Sequence, residues 1–398
     1  MIFLDVTNSA RQRVQTGIQR VVRSIHQHLA ARQPVTPLVW SSPFSRYTSL
    51  QREQRRNLVD PFRGGAFSST RPDLLVNPRP WSKTLRWLHQ KFHQIDLPAR
   101  VAPGDLFFVP EIFQDHRIEY FQEILPLKPG RGRSWALFYD ALVWSLRGYS
   151  PADRNPRFEA YMAVLARFDG VVCISRESED DLRRFWSEHG IAPAPTHVLH
   201  LPMPLAEARP AAEPSWLNRR LLMVATLEPR KNHLRLLEAC EMLWSRGLRF
   251  ELEAIGRSVG EGSAPMERKI TELQAAGRPL QWLAHIDDGA LAEAYRRCSF
   301  TVYPSIREGF GLPILESLWH GRPCVCGENG ALGEVARGGG CEFVDQTDPA
   351  LIAAGLERLL TGEDHYLRLF QEAQGRAFRT WDDYVDALLG LIQMYGLP

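Results

Sequence analysis

Apolar positions along this chain alternate between two rhythms. Short, nearly unbroken apolar runs read as buried strands: residues 2–6, 35–40, 105–109, 135–139, 170–174 and 197–201 in the first half, and 221–225, 250–255, 281–284 and 300–303 in the second. Between them, apolar residues recur every three or four positions, the spacing of one helical face. Ile18, Val21, Val22, Ile25 and Leu29 form such a stripe directly after Thr16-Gly17. Leu236, Leu237, Cys240, Leu243 and Trp244 form another after Asn232, and residues 289–298 predict a further helix. Strands and helices in alternation predict an α/β protein with parallel sheets.

With 398 residues the chain is too long for one ordinary core, so two domains are expected. Residues 203–215, with Pro204, Pro210 and Pro214 among alanines, read as the linker. The expected division is 1–205, 206–378 and a final segment, 379–398. Residues 41–103 break the pattern: rich in Arg, Gln, Ser and Pro, they read as an irregular insertion with no clear strand. Within it, residues 80–93 join Trp81, Trp87 and Phe92 to Lys83, Arg86 and Lys91. This basic aromatic run admits two readings, a helix in a membrane interface or a helix packed on the first domain with its charges in water. At the other end Thr380 and Asp383 form a capping signal, and Trp381, Tyr384, Val385, Leu388 and Ile392 share a broad apolar face that needs a surface to cover.

Composition changes this picture little. Hydrophobic residues are 44% and charged residues 24%, and a formal net charge of +2 gives no support to a nucleic-acid binder. No stretch reaches the length of a transmembrane helix, and the opening MIFLDV is too short for a signal peptide, so a cytoplasmic location is expected. Cys324 and Cys326 fall on one face of a strand, but no second pair at finger-like spacing accompanies them. All six cysteines therefore read as small buried hydrophobes.

The most specific run is PSIREGFGLPILESLWHGRPCV, residues 304–325, which follows a strand. Ligands of open α/β sheets bind at the carboxyl ends of strands, where this loop must lie. Gly309 and Gly311 permit close backbone approach, and Pro313 suits the first turn of a helix. A helix start offers free N–H groups and partial positive charge to a diphosphate. Glu308 in the loop and Glu316 inside the helix, with seven residues between them, can face one ligand. Carboxylates suit paired sugar hydroxyls because each oxygen accepts hydrogen bonds. The run VATLEPRKNH, residues 224–233, also follows a strand and brings Arg230 and Lys231, cations suited to a leaving diphosphate.

These two runs closely resemble the retaining glycosyltransferases of family 4, which have the GT-B fold: two doubly wound Rossmann-like domains facing across a cleft. The resemblance extends through HGRPCV and Gly333-Glu334-Val335, is strong over residues 220–395, and is weaker over 1–200. It implies that Glu308 binds the donor sugar hydroxyls, that Glu316 binds the ribose, and that Lys231 neutralises the diphosphate beside Gly309, Phe310, Gly311 and Leu312. The family's usual arginine is Thr226 here, and Arg230 would supply the second charge from a different position. Thr16-Gly17 resembles the family's N-terminal loop near the donor phosphates, with Arg20 a turn further on. Tyr139-Asp140 stands where many relatives carry His-Asp, which puts Asp140 on the acceptor side, orienting its hydroxyl, with Tyr139 beside it. Ser175-Arg176 resembles a serine-containing turn facing the acceptor. The last helix would cross back to the first domain.

The implied reaction is retaining transfer of a hexose or deoxyhexose from a UDP-, GDP- or dTDP-sugar to a glycan or lipid-linked acceptor, with peripheral contact at the inner membrane face. Relatives with a similar opening and a similar EPRKNH run often handle mannose, fucose or rhamnose in surface-polysaccharide synthesis. Neither cofactor nor metal is expected, because no Asp-x-Asp motif stands in a suitable place and cationic side chains do the neutralising. Two rivals share the two-domain plan: a sugar-nucleotide epimerase, which would show a different carboxylate set, and a non-catalytic carbohydrate-binding protein.

Overall fold

A computed structural model describes residues 1–12, 16–59, 87–146, 155–203 and 209–395. The described residues form two compact units, one drawn from residues 1–145, 155–203 and 379 onward, the other from 209–378. Residues 80–86 of the basic aromatic run and 204–208 of the expected linker lie outside the described residues.

The first unit is built on an eight-stranded sheet: β1 (Ile2–Asp5), β2 (Val35–Ser41), β3 (Arg46–Ser49), β4 (Gln94–Ile95), β5 (Leu106–Val109), β6 (Arg133–Phe138), β7 (Gly170–Cys173) and β8 (Thr196–Val198). Their order is β4-β3-β2-β1-β5-β6-β7-β8. The six strands from β2 to β8 in that order run parallel, and β3 and β4 add an antiparallel edge. Central strands such as β1, β5 and β7 are buried at every position, which is why they read as unbroken apolar runs.

The antiparallel edge corrects the expectation for residues 41–103. That segment carries β3, β4 and a helix, Arg52–Val59, rather than being irregular throughout. Both strands are short, and β3 begins with an exposed arginine, as edge strands do to blunt further pairing. Tyr47 and Thr48 of β3 are buried, and the Tyr47 hydroxyl donates to Asp5 Oδ2 at 2.8 Å.

Helix Gly17–Ala30 buries Val21, Val22, Ile25 and Leu29, and Thr16 with Gln19 closes a reciprocal capping box at its start. The final helix, Trp381–Met394, packs on this one. Thr380 and Asp383 cap it reciprocally, Trp381 stacks on His28, and Asp382 accepts from Arg32 Nη1 at 2.8 Å. Its apolar face, with Tyr384, Val385 and Leu388, is buried against the first unit.

The second unit has six parallel strands: β9 (Arg220–Val224), β10 (Glu251–Ile255), β11 (Leu280–Leu283), β12 (Phe300–Tyr303), β13 (Cys324–Cys326) and β14 (Cys341–Phe343). Their order is β11-β10-β9-β12-β13-β14. Because β9 pairs directly with β12, the chain reverses its direction of winding between them. That topological switch is where an open α/β sheet parts its loops and makes room for a ligand.

Candidate active site

The two sequence runs singled out above leave the carboxyl ends of β9 and β12, which lie side by side with Leu221 opposite Phe300. After β9 the backbone makes a short 3-10 turn, Pro229–Lys231, and then Asn232 adopts a left-handed conformation with φ 65°. Asparagine tolerates that region better than most side chains. Its side chain also ties the site together, donating to Pro304 O at 3.1 Å and to Gln346 O at 2.6 Å. The Ile306 N–H completes the stitch with a 2.8 Å bond to Arg230 O.

This register brings Lys231, Arg230 and Glu308 into direct contact. Lys231 Nζ donates to Glu308 Oε1 at 2.6 Å and to the Tyr303 hydroxyl at 2.8 Å. Tyr303 donates in turn to Glu308 Oε1 at 2.9 Å, and Arg230 Nη1 donates to Glu308 Oε2 at 2.8 Å. Arg230 Nε meets Glu228 Oε2 at 3.0 Å, while Thr226 donates to Glu228 Oε1 at 2.7 Å. Thr226 therefore sits two bonds from the guanidinium, as a support for the residue that orients it.

Glu308 and Lys231 are both buried. Burial raises the pKa of Glu308, but the charges of Lys231 and Arg230 outweigh it and hold the carboxyl below its ordinary range. Burial, with the neighbouring Arg230 charge, lowers the Lys231 ammonium, and Glu308 offsets part of that. Burial likewise disfavours the charged form of Arg230, yet Glu308 and Glu228 keep it above its usual value. The result is an ionised carboxylate clamped by two cations at the mouth of the sheet.

Beyond Glu308 the loop runs through buried Gly309 and Phe310 to Gly311, which opens helix Leu312–Trp319 at φ 119°. That conformation suits glycine and leaves the helix start without a side-chain cap. Pro313 lies in the first turn and Leu312 is half-buried. Glu316, also half-buried, takes a hydrogen bond from the Tyr295 hydroxyl at 3.2 Å. Tyr295 is fixed by stacking on His320, with centroids 4.6 Å apart and planes 7° from parallel. Burial and the nearby Arg322 lower His320 to about 4, so at neutral pH the stacking ring is uncharged.

The residues expected in the first unit have plainer surroundings. Tyr139 is wholly buried, and its hydroxyl donates to Pro110 O at 2.8 Å. Its backbone carbonyl in turn accepts from the Ser178 hydroxyl at 2.6 Å. Asp140, half-buried, accepts from the Leu142 N–H at 3.1 Å. Ser175 is buried and caps helix Arg176–Glu188 by accepting the Ser178 N–H at 3.1 Å. Arg176 pairs with buried Glu179. Gly17 is exposed at the start of its helix, and Arg20, a turn on, is half-buried.

Sequence reasoning missed Tyr303, Glu228, Asn232 and Tyr295. Tyr303 and Asn232 did carry a signal, one closing a strand just before a glycine loop and the other preceding a helix stripe, but both contacts need the pairing of β9 with β12 to be known. Cys324 and Cys326 lie on buried β13, with Cys341 opposite Cys324 on β14. All six cysteines are free and buried, and among the described residues no group of three or more His, Cys, Asp or Glu could hold a metal ion.

With this geometry in place, comparison with known proteins is informative. Residues 217–376 match the glycosyl transferases group 1 family, a span that contains every residue of the β9–β12 cluster. The matched span lies within the second unit. It is 26% identical over 382 residues to the serotype-specific mannosyltransferase WbdA of Escherichia coli, covering 90% of this chain and 41% of that protein. It is also 26% identical over 280 residues to the Escherichia coli O-antigen chain mannosyltransferase B, covering 68% and 69%. The chain therefore spans about two fifths of the length of the first of these relatives. Among solved structures, a sucrose-phosphate synthase from Thermosynechococcus elongatus superposes with a TM-score of 0.66 at 19% identity, covering 99% of this chain and 98% of that one. The fold is GT-B.

Proposed function

We propose that this protein is a retaining glycosyltransferase that moves a hexose, with mannose the first candidate, from a nucleotide-sugar to a hydroxyl of a glycan or lipid-linked acceptor. The observation that carries this reading is Glu308 clamped by Lys231 and Arg230 at the carboxyl ends of β9 and β12. An ionised acceptor of hydrogen bonds suits sugar hydroxyls, and adjacent cations suit a diphosphate. The uncapped helix start at Gly311 adds N–H groups for the same anion. Similarity to two mannosyltransferases, one named for O-antigen chains, supports the sugar and the polysaccharide setting.

In this scheme Lys231 and Arg230 stabilise charge growing on the leaving diphosphate, Glu308 orients the sugar, and Glu316 holds the ribose. The attacking hydroxyl enters on the face the diphosphate leaves, and a phosphate oxygen takes its proton. Asp140 orients that hydroxyl, and no metal is required because side-chain cations do the neutralising. Work on a lipid-linked acceptor would bring the protein to the inner face of a membrane. No helix among the described residues is long and apolar enough to cross one, while Trp87 and Phe92 are exposed near the edge strands. The test is turnover of UDP-, GDP- and dTDP-sugars by purified protein. Nucleoside diphosphate release from one donor, abolished in Glu308→Ala, is expected. Release from none, with candidate acceptors present, would favour a non-catalytic carbohydrate-binding protein.

A further inference from the structure

Two carboxylates, half-buried Glu228 and buried Glu308, and two cations, half-buried Arg230 and buried Lys231, make up the cluster, so its formal charge sums to zero. A site that binds a multiply charged anion ordinarily shows a surplus of positive charge. Here both cations are already engaged. Glu308 uses Oε1 on Lys231 and Tyr303 and Oε2 on Arg230, and all three contacts lie between 2.6 and 2.9 Å. Each cation still has donors to give. The ammonium has a third N–H, and among the described residues Arg230 Nη2 has no hydrogen-bond partner.

We propose that Glu308 is an internal counter-ion that makes the site selective for a diphosphate carrying a sugar over a free diphosphate. This rests on the donor reading above and adds a specificity role to it. A diphosphate reaching the spare N–H groups of Lys231 and Arg230 lies next to a fixed carboxylate on the same two cations. The two anions repel each other in a buried, weakly screened setting. A sugar on the diphosphate changes the balance, because its hydroxyls donate to Glu308 and give the carboxylate new partners. Once the sugar has left, the repulsion returns and promotes release of the nucleoside diphosphate. The Tyr303 hydroxyl holds Oε1 in place throughout, and Glu228 keeps the guanidinium from swinging away.

The test compares binding of inorganic pyrophosphate, UDP and GDP by calorimetry with binding of the sugar nucleotide that the protein turns over. Glu308→Gln keeps the shape and removes the charge. It is expected to bind pyrophosphate and the nucleoside diphosphates about tenfold more tightly than the native protein, while its affinity for the nucleotide-sugar does not rise. Glu308→Ala is expected to move in the same direction, so a folding defect in one replacement does not decide the matter. Adding Lys231→Ala to Glu308→Gln should cancel the gain. Pyrophosphate affinity that Lys231→Ala weakens but neither Glu308 variant raises would overturn the counter-ion role and leave the donor reading standing. No pyrophosphate binding by native protein or variants would overturn both.

Discussion

Replacing Lys231 with methionine removes a charge but keeps most of the side-chain volume, so its consequences are electrostatic. Nζ lies 2.6 Å from Glu308 Oε1 and 2.8 Å from the Tyr303 hydroxyl, in a buried position. Stripping one partner from a buried ion pair costs about 3–5 kcal/mol when the other charge is left uncompensated. Arg230 still holds Oε2 at 2.8 Å and Tyr303 still donates to Oε1, so the expected loss is nearer the lower bound, about 3 kcal/mol at pH 7. The pH dependence follows from the carboxyl. In the native protein its folded pKa lies below the ordinary 4.5, so it contributes stability above that value and loses it as pH falls through the depressed one. Without Lys231, burial dominates and the folded pKa rises, so that contribution disappears. The difference between native and variant should therefore be largest near neutrality and shrink as pH drops through about 4.5. Urea unfolding of the second unit, followed by tryptophan fluorescence at pH 7 and pH 4, measures it. Turnover should fall by about 10²-fold or more, through kcat more than KM. A stability loss under about 0.5 kcal/mol, or one independent of pH, would refute the clamped-carboxylate reasoning.

Three further expectations follow from named contacts. Tyr295→Phe removes the 3.2 Å bond to Glu316 and should raise donor KM about fivefold, worth about 1 kcal/mol, with kcat nearly unchanged in steady-state assays. Glu111, buried beside Asp5 and accepting the Asn8 and Ser9 N–H groups at 2.6 and 2.7 Å, is pushed up to about 7 by burial and by Asp5. Its folded pKa exceeds the ordinary 4.5, so native stability should fall as pH rises from about 4.5 to 7, and Glu111→Gln should flatten that slope in a pH series of unfolding curves. Thr380→Ala removes the two hydrogen bonds of the Thr380 hydroxyl at the start of the last helix and should cost about 1 kcal/mol, read as a lower unfolding midpoint of the first unit.

Much of the architecture was legible because buried parallel strands leave continuous apolar runs and helices on sheets leave stripes. The apolar run 300–303 predicts a strand with the bounds that β12 has, and the stripe of Leu236, Leu237 and Cys240 is buried in helix His233–Ser245. The edge strands β3 and β4 were not legible, because a four-residue strand with one core tyrosine and a two-residue strand carry no periodicity to detect. At the site, Glu308, Lys231 and Arg230 could be named from local sequence because each stands beside its own glycine, proline or strand signal. Their mutual hydrogen bonds, across 77 and 78 positions of sequence, follow only from the pairing of β9 with β12. Tyr303 and Asn232 belong to the same class: a strand end and a helix start mark their places, but their contacts appear only with that pairing. Tyr139, a residue singled out by resemblance, donates its hydroxyl to Pro110 O.

The central claim is that Lys231, Arg230 and Glu308 form the donor site. A crystal structure of the protein soaked with the nucleotide-sugar that supports turnover tests it most directly. The account predicts the diphosphate within hydrogen-bonding distance of Lys231 Nζ and the N–H groups at the start of helix Leu312–Trp319, with sugar hydroxyls on Glu308. A donor bound elsewhere, with the carboxylate and its two cations unchanged and untouched, would contradict it.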